Sequence, residues 1–233
     1  MKAVFFALVF LLIQGGLFAA SELPATFHQA VMLIESGKRN EASVILKELT
    51  EKNPEWGLFH LEYAANCIYL ECPSNEIEKH LDKAESLLGE NPRFFFYKGL
   101  FLEHKSADEA LKYYDKAISL RPGYTDALIR ACSLYSEKGD LKSAISYYDS
   151  IPRQQRNSAL VLKMVNLLVQ NKDYLRAEKE LLWLVCNHPA NELYLKRLIE
   201  FYEIIGNSEK AKDTTRKLQN LAPAKKKVMR PLR

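Results

Sequence analysis

Glycine and proline are scarce in this chain of 233 residues. Nine glycines and nine prolines make about 8% of the sequence, against roughly 12% in average proteins. This scarcity excludes collagen-like chains and architectures dominated by loops. The apolar fraction is 48% and the formal net charge only +4, which is the composition of a folded chain rather than a disordered one. We therefore expect a protein made mostly of regular secondary structure.

Sequence motifs of catalysis and cofactor binding are also missing. The chain has no glycine-rich phosphate loop, no His-Glu-x-x-His motif, no Cys-x-x-Cys pair and no serine in a nucleophile-elbow setting. His60, His80 and His104 fall in neighbouring stretches and leave a metal site open, although surface or half-buried histidines are the commoner outcome. The sequence predicts a non-catalytic protein without cofactor or metal, and an enzyme with an unrecognised site is the minor alternative.

The first twenty residues have the pattern of a targeting segment. Lys2 gives a positive start, residues 4–13 form an unbroken apolar run, and the small residues Ala19 and Ala20 follow. This order is typical of a secretory signal peptide, so we expect export to a periplasm or cell envelope. The apolar stretch is marginal against the roughly 20 residues of a membrane-spanning helix, which leaves retention of residues 1–20 as a membrane anchor open.

Small residues and prolines recur with a period near 34 residues. Five alanines that precede an apolar stripe mark this period, namely Ala42, Ala110, Ala144, Ala177 and Ala211. Prolines follow twelve residues after four of them, at Pro54, Pro122, Pro189 and Pro223, and His80 takes the place of alanine in the second unit. Apolar residues recur at helical spacing on both sides of a turn within each period. The pattern predicts an array of antiparallel helix pairs.

These units resemble tetratricopeptide repeats. The residues that carry the resemblance include Gly99, Ala110, Tyr114, Ala117 and Pro122 in the third unit, Gly139, Ala144 and Tyr148 in the fourth, and Tyr174, Ala177, Leu181, Leu184 and Pro189 in the fifth. The resemblance implies an all-α, right-handed superhelical solenoid of about six helix pairs. The expected units are 22–55, 56–92, 93–122, 123–156, 157–189 and 190–223, followed by a basic disordered tail at 224–233.

Arrays of this kind bind partners on a concave groove, which the resemblance assigns to the first helix of each pair. In the first three units it places apolar residues there: Phe27, Val31, Leu61, Ala65, Phe96 and Leu100. In the last three units the corresponding residues are Arg130, Lys163, Asn166, Lys196 and Arg197. Such a cluster suits a protein partner that offers an acidic peptide or a C-terminal carboxylate, and an ordinary solvated helix face is the alternative.

Two further features leave alternatives open. Cys67 and Cys72 are close in sequence and could form a disulfide in an oxidising compartment, whereas Cys67 and Cys132 could equally be small apolar core residues. The tail after Pro223 contains five basic residues, which allows peripheral contact with an anionic membrane or simple disorder. A nucleic-acid partner is not expected, because the excess positive charge is confined to this tail.

Two functions follow from the sequence. The first is an exported, non-catalytic scaffold or adaptor that binds a protein or peptide segment in the groove of the repeat array. The second is a membrane-anchored accessory subunit that assists the assembly of an envelope, pilus or secretion complex. The two differ in whether residues 1–20 are removed.

Overall fold

The computed structural model describes the backbone of residues 23–228 and the side chains up to residue 221. Within this range it contains twelve α-helices, one short 3₁₀ helix and no strand. The helices are α1 (Ala25–Glu35), α2 (Arg39–Lys52), α3 (Gly57–Tyr69), α4 (Ser74–Leu88), α5 (Pro92–Leu102), α6 (Ala107–Leu120), α7 (Thr125–Glu137), α8 (Leu141–Asp149), α9 (Ser158–Gln170), α10 (Tyr174–Asn187), α11 (Glu192–Ile204) and α12 (Ser208–Val228). They form six successive pairs, which confirms an all-α protein with about six repeats.

The helices belong to two compact units that divide between residues 131 and 132. The first unit contains α1 to α6 and the beginning of α7, and the second contains the end of α7 and all later helices. Within the units, the two helices of a pair pack on each other along their length in five pairs, and shorter contacts join them to neighbouring helices. These pairs are α1/α2, α3/α4, α5/α6, α9/α10 and α11/α12. A single pair cannot bury its apolar face alone, so the stability of such a unit comes largely from these interfaces.

Short polar side chains define where many helices begin. Asn91, Ser106, Asp140, Asn157, Asp173 and Asn191 each accept a hydrogen bond from a backbone N–H in the first turn of the helix that follows. These caps satisfy amide groups that have no partner within the helix. The turn inside a pair often needs a left-handed residue, which Gly139 supplies at φ +79° and Lys172 supplies at φ +58°. The local sequence therefore determines where these helices begin and where the chain turns between them.

The small residues that mark the period lie where helices cross closely. Ala42, Ala110, Ala144 and Ala177 are completely buried, and Ala211 is 8% exposed. A Cβ atom at Gly99 would come within 2.7 Å of Cε1 of Tyr114, closer than two carbon atoms can approach without a shift of the neighbouring ring. These observations confirm the register of the repeat inferred from the sequence.

The second repeat, expected at residues 56–92, has a histidine where the other repeats have alanine, and it contains a pair of buried histidines. His60 and His80 are 7% and 8% exposed, and their Nδ1 atoms lie 2.8 Å apart. Nε2 of His60 is 3.0 Å from the carbonyl oxygen of Pro54, which can only accept a hydrogen bond. His60 therefore donates from Nε2. A neutral His60 then accepts at Nδ1, so His80 donates from its own Nδ1.

This histidine pair is expected to make the protein sensitive to acid. Burial, followed by the charge of His60, lowers the pKa of His80 to about 4, and burial also lowers the pKa of His60. The unfolded chain takes up protons near pH 6.5, so stability present above that pH is lost as the pH falls toward 4. We expect a loss of about 1–2 kcal/mol between pH 7 and pH 4.5 from this pair, measured by urea unfolding.

The matched variant for this measurement is His60→Leu combined with His80→Ala, because alanine is the residue found at the same place in the other units. Its free energy of unfolding should depend less on pH over the same range. Parallel pH profiles for the two proteins would show that the histidine pair does not cause the acid sensitivity.

The two ends of the chain differ in what the structure describes. The signal peptide or anchor predicted at residues 1–20 lies outside the described residues. Helix α12 continues past Pro223 to Val228, whereas the sequence predicted an end at Pro223 and a disordered tail. The earlier prolines precede or begin a further helix, whereas Pro223 lies within α12. Among the described helices, none combines the length and apolar character needed to cross a membrane.

Candidate functional site

A pocket of about 300 Å³ opens in the second unit between the end of α7 and α9. Its polar residues are Ser133, Ser136, Glu137, Lys163, Asn166 and Gln170, and all of them are exposed or half-buried. Its remaining residues are buried, namely Cys132, Tyr148, Leu160, Met164 and Leu167. The pocket, called here the α7–α9 pocket, thus has a polar rim above an apolar floor.

The spacing along α9 explains this division. Lys163, Asn166 and Gln170 follow one another at intervals of three and four residues, which places them on one face of the helix. Met164 and Leu167 lie on the adjacent face and contribute to the core of the unit. Asn157 caps the first turn of α9 by accepting a hydrogen bond from the N–H of Leu160 over 2.9 Å. The same periodicity therefore produces both the rim and the floor.

The rim offers hydrogen-bond donors that the protein itself leaves unused. In the part of the chain that the structure describes, neither Lys163 nor Asn166 takes part in a hydrogen bond or ion pair with another residue. The charge of the Lys163 ammonium favours a lower pKa of the Cys132 thiol, but burial has the larger effect and raises this pKa to about 11. Cys132 is therefore a neutral thiol near pH 7 and unsuited to nucleophilic chemistry.

The other predicted basic residues have different surroundings. Lys196 and Arg197 are exposed on α11, and Arg197 donates to Glu200 over 3.0 Å. Arg130 belongs to the first unit, where it donates to Glu103 over 3.2 Å. Of the five polar residues predicted from the sequence, Lys163 and Asn166 are the two that line the α7–α9 pocket.

Two arginines in the first unit are already paired with carboxylates of a neighbouring helix pair. Arg93 contacts Glu62 at 2.6 Å, with 14% and 8% of the two side chains exposed. Although burial alone would lower the pKa of Arg93, the Glu62 carboxylate raises it above its ordinary value. Glu103 accepts from the Tyr114 hydroxyl over 2.6 Å as well as from Arg130. These groups hold the unit together and are not free to bind a partner.

Of the six apolar residues predicted to line a groove in the first three repeats, five are in fact buried core residues, and Val31 is half-buried against the core. Phe27, Leu61, Phe96 and Leu100 are only 4%, 0%, 5% and 7% exposed. Phe27 packs on Phe59, with ring centroids 5.3 Å apart, and Phe96 packs between Tyr114 and Tyr124. The assignment to a groove is corrected because helices of the same and the neighbouring pairs cover these side chains, which sequence position alone does not reveal.

Four rim residues of the α7–α9 pocket were missed by the sequence analysis. Besides Lys163 and Asn166, the rim contains Ser133, Ser136, Glu137 and Gln170. Their signal is weak, because serine, glutamate and glutamine on an exposed helix face are common. The helical spacing of Gln170 from Asn166, four residues further along α9, was the one indication available.

The first unit has a larger pocket, of about 860 Å³, between α2 and α4. His60 and His80 line it together with charged residues of both signs, among them Lys47, Glu51 and Lys79. His60 and His80 thus meet as the sequence allowed. Among the described residues, no group of three or more histidine, cysteine, aspartate or glutamate side chains is arranged to hold a metal ion.

Successive antiparallel helix pairs that pack on their neighbours are the architecture of a helical-repeat protein. A family model described as tetratricopeptide repeat matches residues 101–168 of the chain. The described helices therefore have the tetratricopeptide-repeat fold, and residues 101–168 match the family directly. This fold is generally a non-catalytic protein-interaction fold.

Solved structures extend the likeness to most of the chain. The PilF protein of Pseudomonas aeruginosa is 21% identical, with a TM-score of 0.66 over 85% of this chain and 91% of that one. PilW, described as a widely conserved type IV pilus biogenesis factor, is 16% identical, with a TM-score of 0.64 over 85% and 92%. YrrB, described as having an unusual peptide-binding site, is 15% identical, with a TM-score of 0.61 over 76% and 92%. These identities show a shared fold alone. A search of curated proteins gave no match.

Proposed function

We propose that this protein is a non-catalytic scaffold that binds an acidic segment of a partner protein in the α7–α9 pocket. The proposal rests on one observation. The donor groups of Lys163 and Asn166 have no partner among the described residues, and they lie beside a buried apolar floor. Repeat arrays of helix pairs commonly present such surfaces to extended peptides. The fold shared with YrrB, which is described as having a peptide-binding site, is consistent with this role.

The chemistry of the rim favours a carboxylate. An ammonium group and a side-chain amide can both donate to one carboxylate, and hydrogen bonds with a charged partner are roughly twice as strong as neutral ones. The carboxylate can belong to an aspartate, to a glutamate or to the end of a chain. The floor formed by Met164 and Leu167 accepts an apolar side chain next to it. We therefore propose a ligand that combines a carboxylate with an adjacent apolar residue.

The contrast between the two units supports this location. In the first unit Arg93 and Arg130 are bound to Glu62 and Glu103, so a ligand would have to displace a partner that is already present. Lys163 has no such partner among the described residues, and a carboxylate would meet no competitor there except Glu137 on the same rim. The α7–α9 pocket is thus a better place for an acidic peptide than the surroundings of Arg93 or Arg130.

A direct binding experiment tests this proposal. The probe is a pool of fluorescein-labelled octapeptides that end in an apolar residue followed by aspartate or glutamate, measured by fluorescence anisotropy. We expect the wild-type protein to bind the pool, and Lys163→Ala to weaken binding about 10-fold or more, because a hydrogen bond to a charged group contributes roughly 1.5–3 kcal/mol. Added salt should weaken the wild-type interaction.

Lys179→Ala is the matched control, because Lys179 is an exposed lysine on α10 that does not line the pocket. It removes the same charge from the same unit and should leave the affinity unchanged. A second pool with amidated C-termini separates a terminal carboxylate from an acidic side chain. Equal losses in Lys163→Ala and Lys179→Ala would mean that net charge, and not this pocket, determines binding.

The proposed setting is an exported protein in a cell envelope. The pattern of residues 1–20 supports this setting. The alternative role is a membrane-anchored accessory subunit of a pilus or secretion complex, and the fold shared with the pilus biogenesis factor PilW is a reason to test it. The mass of the protein recovered from its native cells distinguishes the two. A chain that begins near Ser21 in a soluble fraction favours the scaffold, and a chain that keeps residues 1–20 in the membrane fraction favours the anchored subunit.

A further inference from the structure

Cys67 and Cys72 face each other across the C-terminal end of α3. The N–H of Cys72 donates to the carbonyl oxygen of Cys67 over 3.0 Å, and the N–H of Glu71 donates to that of Ile68 over 3.3 Å. Glu71, between these two bonds, has the left-handed φ of +54°. This pattern is a Schellman helix end, which brings the side chains of its first and last residues together.

Both cysteines are free, and Cys72 packs against the core cluster that contains Cys67. The backbone bond already fixes the separation of the two residues, so a covalent bond between the sulfur atoms needs little movement of the main chain. The two other cysteines lack this arrangement, because Cys132 is buried in the second unit and Cys186 is exposed on α10.

The two thiols differ in how they can react. Cys72 is half-buried and therefore reachable by a small reagent, whereas Cys67 is completely buried. Burial, with a further contribution from Cys72, raises the pKa of Cys67 to about 12. Since the thiolate is the attacking form, Cys72 is the thiol that meets an external disulfide first.

We propose that Cys67 and Cys72 form a reversible dithiol–disulfide site that is oxidised by small organic disulfides. In the first step the Cys72 thiolate attacks one sulfur of the reagent, a mixed disulfide forms at Cys72, and one thiolate of the reagent leaves. In the second step Cys67 attacks the sulfur of Cys72 and the second thiolate leaves. The protons of both cysteines end on the two released thiols, so one disulfide is reduced for each protein disulfide formed.

The order of events gives this site a kinetic signature. The high pKa of Cys67 slows the second step relative to the first, so the mixed disulfide at Cys72 should accumulate before the internal disulfide replaces it. Cys186 offers a comparison in the same molecule, because an exposed cysteine without a neighbouring thiol can only stop at the mixed disulfide.

The test uses the full-length protein, oxidised glutathione and tryptic peptide mapping after alkylation. No lysine or arginine lies between Asn53 and Lys79, so one peptide contains both Cys67 and Cys72. We expect this peptide first to carry one glutathione. At the end it should carry no alkyl group and be lighter than the reduced peptide by the two hydrogens of the thiols. Cys186 should keep its glutathione. Circular dichroism should show unchanged helix content.

Two variants complete the test. Cys67→Ser should keep glutathione on Cys72 indefinitely, and Cys72→Ser should leave Cys67 unmodified because it is buried. A wild-type peptide that carries two alkyl groups after prolonged oxidation, or one that keeps glutathione on Cys72 as the Cys67→Ser protein does, would overturn the proposal.

Discussion

Replacing Ala177 by arginine is expected to unfold the second unit. Ala177 is completely buried on α10, where this helix packs against α9. An arginine there combines overpacking with a buried unpaired charge, and we expect a loss on the order of 4 kcal/mol in the free energy of unfolding. Urea unfolding followed by circular dichroism measures the loss.

Leu175→Arg provides the control on the same helix. Leu175 is 81% exposed, so the same side chain introduced two residues earlier points toward solvent. We expect a change within about 0.5 kcal/mol for this variant. If Ala177→Arg retained the wild-type unfolding midpoint, the repeat register described above would be wrong.

Replacing Glu62 by glutamine is expected to destabilise the first unit strongly. The substitution removes the negative charge that accompanies Arg93, whose side chain is 14% exposed and has its Nη1 atom 2.6 Å from the Glu62 carboxylate. Removing one partner of a buried ion pair leaves the other charge uncompensated in a poorly solvated place. We expect a loss of about 3 kcal/mol, measured by urea unfolding at pH 7.

The exposed pair of Glu78 and Lys105 gives the matched control. Its two atoms lie 2.8 Å apart, nearly the same separation, but 48% and 45% of the side chains are exposed. Glu78→Gln should therefore change the stability by less than about 0.5 kcal/mol. Equal losses of stability in Glu62→Gln and Glu78→Gln would show that burial does not determine how much the Arg93–Glu62 pair stabilises the protein.

The fold could be predicted from the sequence because its main signal is periodic. Ala110, Ala144 and Ala177 recur at steps of 34 and 33 residues, and each occupies a helix crossing that accepts only a small side chain. Periodicity carried less information about burial. Phe96 and Leu100 have the spacing of groove residues, but Tyr124 of the following segment packs against Phe96. That contact depends on how neighbouring pairs stack.

The candidate site was only partly predictable for the same reason. Lys163 and Asn166 were found because both lie on one face of a predicted helix. Arg130 looked equivalent in sequence, yet it is bound to Glu103, a residue 27 positions earlier. Pairings between successive repeats depend on three-dimensional stacking, which the sequence pattern does not show.

Hydrogen–deuterium exchange of the full-length protein with the acidic peptide pool tests the central claim most directly. If the α7–α9 pocket binds the peptides, amide exchange should slow in residues 132–137 and 160–170, and the Lys163→Ala protein should show no such slowing. Protection confined to the α2–α4 region around His60 and His80, or no protection at saturating peptide, would contradict the assignment of the binding site to the second unit.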